Sequence, residues 1–387
     1  MRSSIGLGTQ GEGRGEQVGT TLTLRCLRTA TGHRAWKAVV GSASFAQGVL
    51  VLSAALWITV STSAQPSPYN GLPLVPPDST GNYRLIISGH FHGASSNASG
   101  YPAATLLARL DRVNGLRANA LLSTGDLFLN PDRDSARFAE SLFQRLQVPL
   151  YNAPGNHDRE GNAFGDVPFP FVLQMGRDRI ILLDTERDNS DILGDQLNAL
   201  EQAAKDSEAG VLGRVFIITH RPVWAEADPT YGPLFKGNTR SLTGCNYERD
   251  VWPLVRRMAE GSSVVWASGS MAGGAPASVF FQPHEKNVTY IQSAIRDELR
   301  DALLVADVGP GSITWSLVSL TGQATASVDR YTAAWWKEQR AQGGASFNWR
   351  LLPYLVTSVV THRAFAWGAG AMLVLLLLLR TLLRRWW

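Results

Sequence analysis

The sequence predicts a layered α/β fold with a membrane segment at one or both ends. Three observations lead there. Between residues 82 and 327 short β-rich runs alternate with helical patterns, first as strand–helix–strand–helix–strand and, after about residue 262, mostly as strands. Two uncharged runs of 16 residues, Phe45–Val60 and Ala364–Leu379, stand near the two ends. Histidines and an aspartate recur just past the strand candidates, where α/β sheets place their sites.

In chain order, residues 1–64 read as a leader. The first 40 are rich in Gly, Thr and Arg without an apolar period. A basic flank, the short apolar run Phe45–Val60 and small residues up to Gln65 match a secretory signal peptide cleaved after Ala64. The leader is long for that role, so either the true start lies downstream of Met1 or the segment is retained as a signal anchor. Residues 65–81 hold five prolines and read as an extended linker. Strands are expected at Tyr83–Ser88, Ala120–Thr124, Val148–Asn152, Ile180–Asp184, Val215–Thr219, Val264–Ala267, Val288–Ser293, Leu303–Asp307 and Ile313–Val318. Helices are expected at Pro102–Val113, Ser135–Leu146, Gly194–Asp206 and Arg249–Ala259.

Residues 328–363 read as a juxtamembrane linker, 364–383 as a transmembrane helix, and 384–387 as a basic and aromatic tail. The run to Leu383 contains five consecutive leucines and one arginine, enough to span roughly 30 Å of hydrocarbon if Arg380 snorkels. A buried soluble helix would need a bundle to cover all its faces, and no such bundle is visible. The positive-inside rule directs both basic ends to the cytoplasm. The expectation is a protein of the cytoplasmic membrane with a single C-terminal span and its main domain extracytoplasmic, periplasmic or extracellular.

Charge supports this division. The 387 residues carry 36 Lys+Arg and 32 Asp+Glu, a formal charge of +4, with a pI near 9.2. Residues 1–40 contribute +4 and residues 330–387 contribute +7, so the middle carries −7. An acidic body disfavours a nucleic-acid partner, because phosphate contacts need a cationic face. A composition of 44% hydrophobic and 18% charged residues excludes disorder throughout. Two distant cysteines, Cys26 and Cys245, exclude a disulfide framework and a zinc–thiolate site. Cys245 reads as a buried or loop thiol rather than a nucleophile, since no base is indicated beside it.

Of seven histidines, His90, His92, His157 and His220 sit just after strand candidates, as does Asp126 in Gly125-Asp126. One such histidine is more often structural than a ligand. Four at one topological level, with Asp126 and Asn156, point to a metal site. His284 and Asp228 lack spacing that would join them to it and read as surface residues.

The pieces GHFHG (Gly89–Gly93), STGDLF (Ser123–Phe128), APGNHD (Ala153–Asp158) and ITHRPVW (Ile218–Trp224) occur in this order, and Leu182–Ala203 resembles a connection into a central helix. With these the sequence resembles the calcineurin-like metallophosphoesterases over roughly residues 83–320. The resemblance implies a layered β-sandwich flanked by helices. It also implies two divalent cations about 3.5–4 Å apart that polarise a phosphoryl group and acidify a bridging water. Asp126 matches the bridging carboxylate, Asn156 a neutral oxygen ligand, and His92 and His220 imidazole ligands. His157 matches the histidine that contacts phosphate or protonates the leaving oxygen; its plainer reading is loop rigidity through Asp158.

Two departures from the pattern stand out. His90 replaces the carboxylate of the opening Asp-x-His, which removes a negative charge yet suits Mn, Fe or Zn. The closing Gly-His-x-His appears as Gly269-Ser270-Met271-Ala272, so Ser270 and Ala272 stand where imidazoles belong. The expected ligands are thus His90, His92, Asp126, Asn156 and His220 around one or two divalent ions, with His157 and Asp126 in catalytic roles. The readings are a membrane-tethered phosphoesterase acting on a phosphomonoester, phosphodiester or pyrophosphate, or a catalytically dead relative serving as an envelope binding or scaffold module. Its partners would be a phosphorylated small molecule or an envelope or lipid-linked phosphate, with the membrane and no nucleic acid. The loop Ala225–Tyr247, with Lys236 and Arg240, is a candidate for substrate contacts. Asn97 and Asn287 lie in glycosylation sequons.

Overall fold

A computed structural model describes residues 66–158, 167–226, 228–235, 244–342 and 363–386, with 356 and 360 besides. The leader with Phe45–Val60, Cys26, and the loop residues Lys236 and Arg240 lie outside the described residues.

Eleven strands among the described residues form two sheets. The first has the order β11-β10-β1-β2-β3, built from β1 (Tyr83–Ser88), β2 (Ala120–Ser123), β3 (Leu150–Asn152), β10 (Ala302–Val308) and β11 (Ile313–Ser319). Strands β1, β2 and β3 run parallel, and the β10–β11 hairpin joins β1 antiparallel. The second sheet has the order β4-β5-β6-β7-β9-β8, with β4 (Phe171–Met175), β5 (Asp178–Leu182), β6 (Arg214–Ile218), β7 (Ser263–Ser268), β8 (Val279–Pro283) and β9 (Val288–Ser293). Its four central strands β5, β6, β7 and β9 are parallel, and β4 and β8 close the edges antiparallel. This is the two-layered sandwich flanked by helices that the sequence leads one to expect.

The strand sequences account for the layering. Side chains alternate across a strand, so Leu85 and Ile87 face the larger core shared with the second sheet, while Ile86 faces a smaller one. Ile86, Leu121 and Leu150 meet Leu106, Leu110 and Phe138 there. The last three come from α1 (Ala104–Leu107), α2 (Leu110–Gly115) and α3 (Pro131–Phe138). The larger core adds Leu200 and Ala204 of α4 (Gly194–Glu208) and Val255 and Met258 of α6 (Trp252–Gly261). Central strands buried on both faces carry continuous apolar runs, as in Val215–Ile218.

Several elements differ from expectation. The helix expected over Pro102–Val113 is two short ones, because the chain leaves helical geometry at Arg109 (φ −126°, ψ 15°), whose Nε reaches the Leu320 carbonyl. The helix expected over Ser135–Leu146 begins earlier, at Pro131, where the Asn130 side chain caps the Arg133 N–H, and continues as a π-helical turn over Ala139–Phe143. A second π-helical turn, Tyr247–Val251, leads into α6. Strands β4 and β8 escape the sequence pattern because both are edges: Val172 and Gln174 are exposed, and prolines interrupt the runs. A four-residue helix, α5 (Gly232–Phe235), lies within the loop proposed for substrate contacts and buries Leu234 and Phe235.

Neither flanking segment is a free tether where it is described. Ser67 Oγ donates to the Leu150 carbonyl and Asn70 Nδ2 to the Val148 carbonyl, so the proline-rich segment lies along β3. At the other end α7 (Ala333–Gln342) buries Trp336 against Phe235 and Phe280, with its indole N–H on the Val279 carbonyl at 3.0 Å. Helix α8 (Arg363–Trp386) contains the stretch Phe365–Leu383, long and apolar enough to cross a membrane, and every side chain in it is exposed.

The packing of Trp336 makes residues 328–342 part of the folded body. Trp336→Ala is expected to cost about 3–5 kcal/mol, read as a lower urea midpoint at unchanged slope. An unshifted midpoint would return this segment to the role of linker.

Candidate metal centre

The carboxyl ends of β1, β2, β3, β6 and β7 converge, and short backbone bonds lock their loops together. Thr124 N donates to Ser88 O, Ala153 N to Ser123 O, and His90 N to Gly125 O at 2.8 Å. From the second sheet, Thr219 N donates to Ala267 O, and Gly269 N and Ser270 N both reach His220 O. Ile295 N, beyond β9, closes the ring on Gly89 O. Gly155 is required here: a Cβ at this position would fall 2.0 Å from Asp126 Oδ1.

Asp126 and His90 both hold left-handed backbone, with φ of 58° and 57°. Such conformations cost about 1–3 kcal/mol each and persist where surrounding contacts enforce them. At Asp126 the enforcing group is Asp158. Its Oδ2 accepts from Asp126 N at 2.8 Å, Gly155 N at 2.9 Å and Asn152 Nδ2 at 3.0 Å, and its Oδ1 accepts from Phe128 N. Burial and the neighbouring Asp126 carboxylate push the Asp158 carboxyl up.

Three imidazoles surround the Asp126 carboxylate. His90 Nε2 and His92 Nε2 each lie 3.7 Å from Asp126 Oδ2, and His220 Nε2 lies 3.6 Å from the same oxygen. These distances exceed hydrogen-bond length. All four side chains are 1–2% exposed. Both ring nitrogens of His90 and of His92, and Nε2 of His220, are buried without a hydrogen-bond partner. An unpaired buried polar group costs about 1–3 kcal/mol, and the three Nε2 atoms that face Asp126 Oδ2 are ligand atoms that a metal ion would satisfy. His90, His92 and Asp126 bring ligand atoms within 4.8 Å of one another. Burial, reinforced by the charge of Arg296, holds the His90 pKa well below the usual histidine value, so its imidazole is neutral and able to ligate. Burial pushes the Asp126 carboxyl up, but the three imidazoles beside it, His220 foremost, outweigh burial and keep it well below the usual carboxylate range. His220 Nδ1 is 2.9 Å from Thr124 O, which fixes the tautomer and leaves Nε2 as the ligand atom.

The loop after β3 completes the arrangement. His157 N donates to Asp126 Oδ1 at 3.2 Å, and His157 Nδ1 is 3.1 Å from Leu129 O. Its imidazole is therefore oriented by a backbone carbonyl and not by Asp158, and its ring stands 5.5 Å from that of His92. Asn156 is half-buried between Gly155 and His157, both of which touch Asp126. The segment Gly269-Ser270-Met271-Ala272 follows β7. Ser270 is buried, and its carbonyl accepts from Gln292 Nε2.

Other residues singled out by sequence stand elsewhere. His284 is joined to Tyr231 OH at 2.9 Å and packs on Tyr290, and Asp228 accepts from Thr230 N in a turn. The Cys245 thiol is half-buried and pushed up to about 12 by burial and by Glu226, so it is a poor nucleophile. The sequon amides are committed to backbone acceptors: Asn97 Nδ2 to His92 O and Tyr101 O, and Asn287 Nδ2 to Ala259 O. Asn97 thus supports the His92 main chain, a role its sequon context does not announce. Arg296 also escaped the sequence reading. It lies three residues past β9, the same placement as the ligands, but outside any motif.

No family model matches the chain, and no curated protein matches it by sequence. Among solved structures it is similar to GAP50, the anchor in the inner membrane complex of Plasmodium (9% identity, 64% of this chain and 88% of that one, TM-score 0.43). It is similar also to a dimetal phosphatase from Danio rerio (14% identity, 64% and 99% coverage, TM-score 0.43). A third is a predicted phosphoesterase from Streptococcus pneumoniae (14% identity, 63% and 93% coverage, TM-score 0.30).

Two buried carboxyls next to the site give it a pH signature. Burial raises Asp297 to about 7 and Asp301 to about 6. Thr105 Oγ1 lies between them, at 3.2 Å from Asp297 and 2.8 Å from Asp301. In the unfolded chain both lose their protons near pH 4, so over about pH 4–7 the unfolded state binds fewer protons and stability falls as pH rises. Asp297→Asn, which keeps an acceptor for Thr105, is expected to shrink that loss in urea curves between pH 4 and 7. An unaltered pH slope would show that Asp297 ionises freely in the fold.

Proposed function

We propose that the chain is a membrane-tethered, extracytoplasmic metal-dependent phosphoesterase with an altered metal site. The observation that carries this reading is the set of three unpartnered imidazole Nε2 atoms, of His90, His92 and His220, buried within 3.7 Å of Asp126 Oδ2. The donor set fits a divalent ion such as Mn, Fe or Zn, since imidazole with carboxylate suits these metals. His90, His92 and His220 would hold it with Asp126, and Asn156 would supply a neutral oxygen. When bound, the ion supplies Lewis acidity at a phosphoryl group and an acidified water.

The chain's own residues do the rest. Asp126 is fixed at Oδ1 by the His157 N–H, which turns Oδ2 toward the three imidazoles. His157 donates from Nδ1 to Leu129 O, so in its protonated form Nε2–H is the proton available to a leaving oxygen. Burial of the ligands excludes bulk water and strengthens the charges inside. The substrate class is a phosphomonoester, phosphodiester or pyrophosphate, free or carried on an envelope lipid, and the acidic body argues against nucleic acid. Helix α8 is the membrane tether in this reading, supported by its exposed apolar stretch and by Arg380, Arg384 and Arg385 at its end.

A second reading, a catalytically silent binding or scaffold module, is favoured by Ser270 and Ala272 in the closing segment. Metal content of the purified full chain separates the two. The expected result is bound metal, hydrolysis of aryl phosphates that stops with chelator and returns with Mn, Fe or Zn, and loss of metal and turnover by at least about a hundredfold in Asp126→Ala and His92→Ala. Metal-free wild-type protein without turnover would sink the enzyme reading in favour of the scaffold.

A further inference from the structure

The closing segment that lacks imidazoles is held by an arginine. Arg296 is 4% exposed, and its Nε donates to the Met271 carbonyl, inside Gly269-Ser270-Met271-Ala272, at 2.9 Å. Its main-chain N–H donates to Asp301 Oδ1 at 3.0 Å. The preceding residue, Ile295, bonds Gly89 O next to His90. The side chain is therefore fixed at its backbone and at Nε, between the loop that carries His90 and His92 and the loop that has lost its ligands. Its terminal nitrogens Nη1 and Nη2 have no hydrogen-bond partner among the described residues, yet they are not among the fully enclosed orphan atoms. The guanidinium is close enough to the site for its charge to act on both His90 and Asp126. Burial lowers its pKa and Asp126 restores part of the loss, while an arginine stays charged at neutral pH.

A fixed fork of two unused N–H donor groups beside a metal-type cluster matches two oxygens of a tetrahedral oxyanion. The electrostatic balance agrees. With His90 in place of a carboxylate, the cluster around Asp126 offers one negative charge, and a guanidinium already stands near it. We propose that Arg296 is an anion-binding residue of this site, taking two phosphoryl oxygens on Nη1 and Nη2 where the missing imidazoles would have served a second cation. The inference deepens the phosphoesterase reading and rests on it for the substrate class. The site then works with one metal ion and one guanidinium rather than two metal ions.

The test is binding of inorganic phosphate to the detergent-purified full chain, followed by calorimetry in metal-loaded and chelator-stripped protein. Metal content and thermal midpoint are measured alongside. Arg296→Gln is expected to weaken phosphate binding by at least about tenfold, the worth of a charge-assisted hydrogen bond, with metal content and folding unchanged. Arg296→Lys, which keeps the charge but not the fork, is expected to recover part of the affinity. Wild-type affinity in Arg296→Gln, loss of metal along with phosphate binding, or no phosphate binding by the wild type would each overturn the proposal. Where Arg296→Gln does not fold, Arg296→Lys decides: affinity equal to the wild type at equal metal content overturns the fork. Phosphate binding that depends on Arg296 in a wild-type protein without metal or turnover would retain the anion site and remove the enzyme reading, so the two fail separately.

Discussion

The Asp158 carboxylate is the knot on which the centre depends. It accepts main-chain N–H groups from Asp126, Phe128 and Gly155 and an amide from Asn152, so one buried side chain joins the loop after β2 to the loop after β3. Without those acceptors nothing would compel Asp126 to remain in left-handed backbone, and its carboxylate would not meet three imidazoles from two different sheets. The strained conformation is the cost of aiming one short side chain at a point that His90 and His92 reach from the loop after β1 and His220 from the loop after β6. The register of the parallel strands supplies the other half. Leu121 opposite Leu150 and Ile218 opposite Ala267 bring the strand ends level, so that residues distant in sequence arrive at one height.

Charge inside the centre is distributed unusually. One carboxylate faces three imidazole rings, with the Asp158 carboxyl behind its main chain and the Arg296 guanidinium close enough to act on it. With an imidazole at His90, Asp126 meets no second acidic ligand to repel it, but the cluster holds less negative charge to attract cations. The buried acids Asp297 and Asp301 compensate only in part, because burial raises them to about 7 and about 6 and their carboxyls are engaged by Thr105.

Most of the frame was legible because its central strands are uninterrupted apolar runs and their ends are marked by polar residues. Val215–Ile218 followed by His220, or Tyr83–Ser88 followed by His90, states both the strand and the ligand. The edge strands β4 and β8 carry a weaker signal, since half-exposed edges mix polar residues and prolines into the pattern. The candidate ligands could be read because each belongs to a local motif. Arg296 could not, because its bond to Met271 and the bond of its neighbour Ile295 to Gly89 are tertiary and leave no trace in adjacent residues. Asp158 was visible in GNHD, but its work lies in accepting backbone groups of the preceding loop. The expectation that His157 leans on Asp158 fails for the same reason, since the partner is a carbonyl twenty-eight residues away.

The segment ahead of β1 does more than connect. β3 is an outer strand, paired on one side only, and Ser67 and Asn70 occupy carbonyls at and just before its other side. An exposed strand edge is a template for pairing with another chain. A protease cut between residues 70 and 81 that let this strap peel away would uncover that template, and the body so released would be prone to self-association. The strap ahead of β1 thus also acts as a guard against aggregation, and its integrity matters to solubility.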